Sequence, residues 1–220
     1  MRGHLMLNFS GTYEAENFRD GEILDFSELD GTCCYCEDQA ARRIRSVLSP
    51  YPADGVHWID SGDYHYITLF FLEKMESSFT LFLFDNHPDN QDTAFGEILS
   101  CGSWVKHALD LSTLEAVYPG WHPPYPPAAL PLNPLKRGKA YISIDKDVHD
   151  RRYARTDWDQ GTLTLDELID AVKAISASYD VVGVDICGEL SEHKGAGPED
   201  LTINARTNEI LRDLFINLKM

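Results

Sequence analysis

A run of four apolar residues is followed directly by three residues that can bind a metal. The run is Leu81 to Phe84, and Asp85, His87 and Asp89 come after it at alternate positions. Four apolar residues without a helical period are typical of a strand buried on both faces. In an extended segment alternate side chains share a face, so one imidazole and two carboxylates point into the same volume. This stretch therefore predicts a strand that ends in a site for a divalent ion.

Two other stretches repeat this pattern. Apolar, strand-like runs cover 141–144 and 56–59. The polar residues that follow them are Asp145, Asp147, His149 and Asp150 after the first run and Asp60, Asp63 and His65 after the second. In an open parallel sheet the carboxyl ends of the strands lie along one edge, where ligands bind. So many carboxylates in one place would repel one another without a cation, which again indicates a bound metal.

Strands and helices alternate along the sequence. Strands are expected at 5–13, 56–60, 79–84, 141–144 and 179–187, and helices at 37–48, 66–76, 164–178 and from 198 onward. The third helix opens with a capping box, in which Thr164 is followed three residues later by Glu167. This alternation predicts an α/β fold with three αβα layers and a mainly parallel, doubly wound sheet. A length of 220 residues suits one domain, residues 1–220.

The charge balance limits the class of partner. The chain has 36 acidic and 19 basic residues, so its formal net charge is −17. This sign argues against nucleic acid and favours a cationic partner, although an acidic surface can also serve solubility alone. No apolar run approaches the length of a membrane span, and residues 1–10 lack the apolar core of a signal peptide. We expect a soluble cytoplasmic protein without membrane contact, and a homo-oligomer is compatible with the sequence.

Two further segments carry reactive or aromatic residues. Cys33, Cys34 and Cys36 invite a zinc interpretation, but no second Cys or His pair has the spacing of a tetrahedral site, so a loop of reduced thiols is the alternative. Residues 119–135 hold seven of the eleven prolines and predict an irregular connection. Its Trp121, His122 and Tyr125 would be available to line a pocket, or the connection is inert.

These motifs together resemble those of the ureohydrolases, the arginase and agmatinase superfamily. The similar stretches, in the same order, are Gly62-Asp63-Tyr64-His65, Asp85-Asn86-His87-Pro88-Asp89, Ser143-Ile144-Asp145-Lys146-Asp147, Gly161-Thr162-Leu163-Thr164 and Val184-Asp185-Ile186 with Glu189. They span most of the chain. The resemblance implies an arginase-like three-layer fold and a metal-dependent hydrolase of a C–N bond.

The sequence departs from the family pattern at three places. Tyr64 stands between the Asp and the His of the first motif, and Glu189 comes one position later than expected. The family's head-group motif, a Ser-Gly-Asn followed by a His, corresponds here to a stretch from Ser100 to His107 that has no Asn. In the family this motif binds the head group of a free amino acid. Its altered form here is what we expect of an enzyme that acts on an arginine side chain within a peptide. The chain is most similar to the small bacterial peptide arginases, which make ornithine in place.

The resemblance also implies a set of site residues. Two Mn2+ ions per chain would be held by His65, Asp85, Asp89 and Asp145 in one position and by His87, Asp85, Asp145 and Asp147 in the other, with Asp85 and Asp145 bridging. Oxygen-rich ligands with two imidazoles favour manganese over zinc. Glu189 would bind the guanidinium group, and either His107 or His149 would protonate the departing amine. Ser100 and Trp104 are candidates for substrate contact, although Trp104 also suits the core or the pocket wall.

The leading functional hypothesis is a binuclear manganese hydrolase that converts arginine side chains of a peptide to ornithine and releases urea. A small guanidino compound is the other substrate considered. The alternatives within the fold are a formimino-amino acid hydrolase, an agmatinase and a deacetylase-like enzyme. Deacetylases of this fold keep one metal set and lose the second, so Asp89 and Asp147 argue against that alternative. The alternative of another class is a non-catalytic module that binds a basic partner through its acidic face.

Overall fold

The structure is a computed structural model that describes residues 3–93, 97–119 and 138–218, without the side chain of Pro119. The predicted proline-rich connection, with Trp121, His122 and Tyr125, lies outside the described residues. No helix within these ranges combines the length and the apolar character needed to cross a membrane.

Seven parallel strands form one sheet at the centre of the molecule. They are β1 (His4–Asn8), β2 (Glu22–Asp25), β4 (Gly55–Asp60), β5 (Phe79–Phe84), β7 (Leu114–Pro119), β8 (Lys139–Asp145) and β9 (Asp180–Cys187). Their order across the sheet is β2-β1-β4-β9-β8-β5-β7. Two short strands, β3 (Tyr35–Cys36) and β6 (Leu99–Ser100), form a separate antiparallel pair. The strand order places β9, β8 and β5 side by side, so that their carboxyl ends are neighbours.

Helices cover both faces of the sheet. They are α1 (Thr12–Ala15), α2 (Asp38–Leu48), α3 (Ile67–Leu72), α4 (Trp104–Ala108), α5 (Leu165–Ser178) and α6 (Pro198–Asn217). One apolar cluster joins the sheet to α2, α3 and α4, and a second joins its other face to α5 and α6. Strands covered on both faces are mostly apolar, and all six residues of β5 are buried. The predicted three-layer α/β fold is therefore confirmed.

Two predicted elements have different bounds in the structure. The strand predicted for 5–13 ends at Asn8, because the Asn8 side chain accepts a hydrogen bond from the Gly11 backbone. Gly11 has a φ of 79°, in the left-handed region that favours glycine, and helix α1 begins after it. The helix predicted for 66–76 covers only Ile67–Leu72, all of which are buried. The remaining predicted strands and helices are present, with ends that differ by at most two residues.

The capping box at the start of α5 is the local feature that the sequence predicts most directly. The Thr164 hydroxyl accepts a hydrogen bond from the Glu167 backbone, and the Glu167 carboxylate accepts one from the Thr164 backbone. We expect Thr164→Ala to lower the free energy of unfolding by about 1 kcal/mol, because the Glu167 N–H loses its acceptor and the Glu167 carboxylate loses the hydroxyl that orients it. Thr162→Ala, at an exposed position two residues earlier, is the control. Equal stability of the two variants in urea denaturation would contradict the prediction.

Candidate metal centre

Three adjacent strands deliver polar side chains to the same edge of the sheet. Asp85 follows β5 directly, Asp145 ends β8, and Cys187 ends β9. Asp145 and Cys187 are paired in the β8–β9 register, so their side chains share one face of the sheet. All three residues are buried.

The first group of possible ligands surrounds His65. A 3-10 helix at 62–64 follows β4 and turns the chain so that His65 faces the carboxylates. The His65 Nδ1 atom lies 3.0 Å from Asp89 Oδ2, 3.3 Å from Asp85 Oδ2 and 3.5 Å from Asp145 Oδ2. The one-residue shift that Tyr64 introduces therefore leaves His65 among the predicted residues.

The second group shares Asp85 with the first. The ligand atoms of Asp85, His87 and Asp147 lie within 4.8 Å of one another. The His87 Nδ1 atom is 2.7 Å from Asp147 Oδ2 and 3.7 Å from Asp85 Oδ1. The other oxygen of Asp147 accepts a hydrogen bond of 2.9 Å from the Asn86 backbone, which joins the loops after β5 and β8. All six predicted ligands thus lie in two neighbouring groups. Asp85 is common to both, whereas Asp145, which was also predicted to bridge, is grouped with His65 and not with His87.

The residues present fit a pair of divalent ions. His65 Nδ1 and Asp85 Oδ2 are buried, face each other and have no hydrogen-bond partner. Buried polar atoms without a partner are costly, and a cation between them would remove that cost. The four carboxylates carry four negative charges when ionised, which two divalent ions would balance while both imidazoles remain neutral. Oxygen and imidazole ligands suit manganese and related ions.

Neighbouring side chains hold the possible ligands in place. Ser143 lies 2.9 Å from His65 Nε2 and donates a 2.6 Å hydrogen bond to Asp185. The Trp104 indole donates a 2.7 Å hydrogen bond to Asp89. Asp89 itself has a φ of 45°, in the left-handed region that Asp tolerates better than most residues. Such outer contacts orient metal ligands and fix the histidine tautomer.

Burial and mutual repulsion disfavour the ionised carboxylates in the absence of a cation. Burial, together with the charge of Asp89, raises the pKa of Asp85 to about 8. Burial raises the pKa of Asp145 and that of Asp147 to about 6 each, against the usual 3.8. The hydrogen bond to Asp147 raises the pKa of His87 to about 9. These shifts make protons and metal ions compete for the same atoms.

A cavity of about 310 Å³ opens onto the two groups. Its floor is formed by the carboxylates of Asp85, Asp89, Asp145 and Asp147 together with His87, and its wall by Cys34, Tyr35, Gly62, Gln91, Ser100, Cys101, Gly102 and Trp158. Ser100 therefore lies where a substrate contact was predicted. Tyr35 and Trp158 are 42% and 39% exposed, so two large aromatic side chains flank the opening. No spacing links Gln91 and Tyr35 to the metal motifs, so the sequence alone does not place these two residues at the site.

Three predicted contacts with substrate do not agree with the structure. Trp104 is fully buried and bonds to Asp89, so it positions a possible ligand and does not face the cavity. Neither His107 nor His149 is among the described residues that line the cavity. His149 is buried beside the Leu163 carbonyl, 3.0 Å from its Nδ1 atom, and burial lowers the pKa of its ring to about 4. The ring is therefore neutral near pH 7 and is poorly placed to protonate a departing amine.

The predicted role of Glu189 as a guanidinium ligand also disagrees with its position. Its carboxylate is fully buried below the site, where it pairs with Lys146 and accepts a 2.8 Å hydrogen bond from Asn208. The family position for this carboxylate, one residue earlier, is Gly188, with a φ of 95°. A Cβ atom there would lie 2.4 Å from Asp145 Oδ1, so no side chain fits. The one-residue shift therefore directs Glu189 into the interior.

The cysteines of the 33–36 segment divide between the rim and the core. Cys36 is buried in the apolar cluster, whereas the sulfur atoms of Cys33 and Cys34 lie 3.3 and 3.2 Å from the Asp63 carboxylate. Lys194 already pairs with Asp63 at 3.1 Å. This ammonium neutralises the carboxylate, so the rim group has less need of a metal than the site below it.

Comparison with known proteins identifies the fold. No protein-family model matches the sequence. An uncharacterized protein of Thermotoga maritima is 29% identical over 197 residues, which cover 84% of this chain and 78% of that protein.

Similar solved structures share the architecture at low sequence identity. Proclavaminate amidino hydrolase from Streptomyces clavuligerus is 15% identical with a TM-score of 0.67, over 99% of this chain and 92% of that one. Formimidoylglutamase from Bacillus subtilis is 17% identical with a TM-score of 0.63, over 96% and 85%. A triple mutant of a T. brucei arginase-like protein, bound with Mn2+, is 16% identical with a TM-score of 0.63, over 98% and 90%. The chain therefore has the fold of the ureohydrolases.

The raised carboxylate pKa values predict an unusual pH dependence of stability. The metal-free folded state binds protons at Asp85, Asp145 and Asp147 more tightly than the unfolded chain does. Its free energy of unfolding should therefore fall as the pH rises from about 4 to about 8. We expect a fall of at least about 1 kcal/mol, or about 2–4 °C in Tm. Saturating Mn2+ should abolish or reverse this slope, because the ions favour the ionised carboxylates.

Thermal unfolding at a series of pH values, with a chelator and with Mn2+, measures both slopes. Identical slopes under the two conditions would show that these carboxylates do not bind the added ion.

The buried pair of Lys146 and Glu189 predicts a large stability effect. Glu16 also lies beside this pair, and burial together with the charge of Glu189 raises its pKa well above the usual value. Lys146→Met would leave two buried carboxyl groups without their cation, so we expect a loss of about 3–5 kcal/mol. Lys106→Met breaks an exposed pair with Asp92 and should cost less than about 1 kcal/mol. Chelator-treated protein in urea gives both values, and similar losses would contradict the buried pairing.

Proposed function

We propose that this protein is a binuclear metal-dependent hydrolase that cleaves the C–N bond of a guanidino group. Arginine side chains within a peptide are the preferred substrate in this proposal, and ornithine side chains and urea are the products. The chain has the fold in which known amidino hydrolases and a formimidoylglutamase occur. Because sequence identity to these proteins is low, the proposal depends on the residues of this site.

The observation that carries the proposal is the pair of ligand groups sharing Asp85. Each group combines one imidazole with carboxylates, and both face one cavity. A purely structural cluster of this kind would have to bury four mutually repelling carboxylates beside His65, whose Nδ1 atom makes no hydrogen bond although Asp89 Oδ2 lies 3.0 Å away. A non-catalytic module that binds through its acidic face has no use for that arrangement, since surface carboxylates serve the purpose at lower cost.

In this proposal each ligand group would bind one of two ions. His65, Asp85, Asp89 and Asp145 would hold one, and His87, Asp85 and Asp147 the other. When bound, such ions lower the pKa of water enough for it to attack a C=N carbon near neutral pH. Trp104 and Ser143 keep the ligands oriented during this chemistry. The structurally similar arginase-like protein bound with Mn2+ supports manganese as the first ion to test.

The surroundings of the cavity support a cationic substrate carried on a longer chain. The net charge of −17 attracts cations toward the protein. Tyr35 and Trp158 present aromatic faces beside the opening, where they can pack against a guanidinium plane or a peptide. Ser100 and Gln91 supply hydrogen-bonding groups on the wall.

One observation favours a second candidate, hydrolysis of a formimino group. The carboxylate expected to bind the guanidinium is absent from the cavity, because Gly188 occupies its position and Glu189 pairs with Lys146. A formimino group has one nitrogen fewer and needs no bidentate carboxylate. Hydrolysis of its C–N bond would release formamide and leave the amine.

Product analysis separates these functions. The protein, loaded with Mn2+, is incubated with arginine-containing peptides, free arginine, agmatine and N-formimino-glutamate, and urea and formamide are measured. We expect urea from the peptides and little from free arginine or agmatine. Formamide without urea would select the second candidate, and neither product from any substrate would contradict both.

Substitution of the shared carboxylate tests the site itself. Asp85→Asn should reduce the bound metal from two ions to one or none and lower turnover by more than about a hundredfold, since even outer contacts of metal ligands are worth 10- to 100-fold. Asp92→Asn, whose side chain is 93% exposed, makes the same chemical change away from the site. Metal analysis and product release are measured on both variants. Full activity of Asp85→Asn would exclude the proposed centre.

A further inference from the structure

A cysteine lies inside the candidate metal centre, at the end of the central strand. Cys187 is the last residue of β9 and is fully buried. It pairs in register with Asp145 of β8 on one side and with Asp60 of β4 on the other. Asp60 is occupied by hydrogen bonds from the backbones of Phe9, Ser10 and Ser61. Of these two strand partners of Cys187, Asp145 is therefore the one that belongs to the metal groups.

The contacts of Cys187 point toward the ion position beside His65. Its Sγ atom lies 3.2 Å from Asp145 Oδ2. The ligand atoms of His65, Asp145 and Cys187 lie within 4.8 Å of one another, as those of a shared metal would. Two unpartnered atoms, His65 Nδ1 and Asp85 Oδ2, are aimed into the same space, and both side chains are only 1% exposed. A buried cysteine that only fills space would need apolar neighbours, whereas Cys187 has the Asp145 carboxylate and the His65 imidazole beside it.

We propose that Cys187 binds the metal at the His65 position as a thiolate. The proposal rests on the metal centre described under the proposed function and adds a fifth side chain to that position. On binding, a bond forms between the ion and Sγ, and the thiol proton leaves to solvent. The group around His87 consists of Asp85, His87 and Asp147 and contains no cysteine. The two metal positions would therefore differ in the softness of their ligands.

The proposal changes the expected metal preference. Thiolate ligands select zinc, iron and cobalt over manganese, which prefers oxygen ligands. The His65 position should therefore prefer a softer ion, whereas the His87 position remains suited to manganese. Loss of the thiolate should lower the affinity ratio of Zn2+ to Mn2+ by about tenfold or more.

Cobalt absorption is the direct test, because a thiolate bound to Co2+ gives an intense charge-transfer band in the near ultraviolet. The full chain is titrated with Co2+ under reducing conditions, as the unchanged protein, as Cys187→Ser and as a Cys33→Ser/Cys34→Ser double variant. We expect the band in the unchanged protein and in the double variant, and its complete loss in Cys187→Ser with the weaker visible bands retained. The double variant excludes cobalt held by the rim thiols.

The other results are equally decisive. Stoichiometric cobalt binding without a charge-transfer band would overturn the role of Cys187 and leave the metal centre standing. A band that survives in Cys187→Ser would do the same. No cobalt binding by any form would overturn the metal centre and this inference with it.

If Cys187→Ser does not fold, X-ray absorption of the double variant loaded with one equivalent of Zn2+ replaces it. A sulfur neighbour at about 2.3 Å from zinc supports the inference, and a shell of nitrogen and oxygen alone overturns it.

Discussion

The repulsion between buried carboxylates at one edge of the sheet is the constraint on which the rest of this structure depends. Four of them meet beside two imidazoles, under a cavity that admits ligands. The fold brings them together because β5 and β8 are parallel neighbours whose carboxyl ends lie side by side. Desolvation raises the carboxylate pKa values, so the free site holds protons where the loaded site would hold ions. Stability and metal affinity are thus set by the same atoms.

The surrounding polar contacts follow from this constraint. Ser143 and Trp104 each fix one possible ligand, and both are themselves buried and need a hydrogen-bond partner. The backbone of Asn86 bonds to Asp147 and connects the loops that follow β5 and β8. Below this layer, Lys146 lies between two ligand positions in sequence but points away, toward Glu189. Consecutive residues of this loop therefore face two environments. Asp145 and Asp147 face the candidate metal positions, and Lys146 anchors the loop to the interior.

Much of this arrangement could be predicted from local sequence. The run before Asp85 predicts a buried strand because both faces must be apolar, and the capping box at Thr164 fixes the start of α5. The grouping of His65 with Asp85 followed from parallel strands sharing one edge. The predictions that failed depend on the direction in which a single side chain points. Gly188 and Glu189 are adjacent, and only the backbone conformation at the glycine determines that the carboxylate enters the core.

The end of β9 is where this chain differs most from the site that its motifs predict. The glycine removes a carboxylate from the cavity because a Cβ atom would collide with Asp145, and the preceding Cys187 places sulfur beside the same carboxylate. Under the two proposals these changes have different consequences. The glycine would alter how the substrate is held, and Cys187 would alter how the ion is held. A metal with a softer ligand polarises a C=N group differently, and a cavity without the carboxylate must recognise its substrate through Tyr35, Trp158 and the wall. Under the proposed function, recognition would then shift from the reacting group to the chain that carries it, as expected of an enzyme for a peptide side chain.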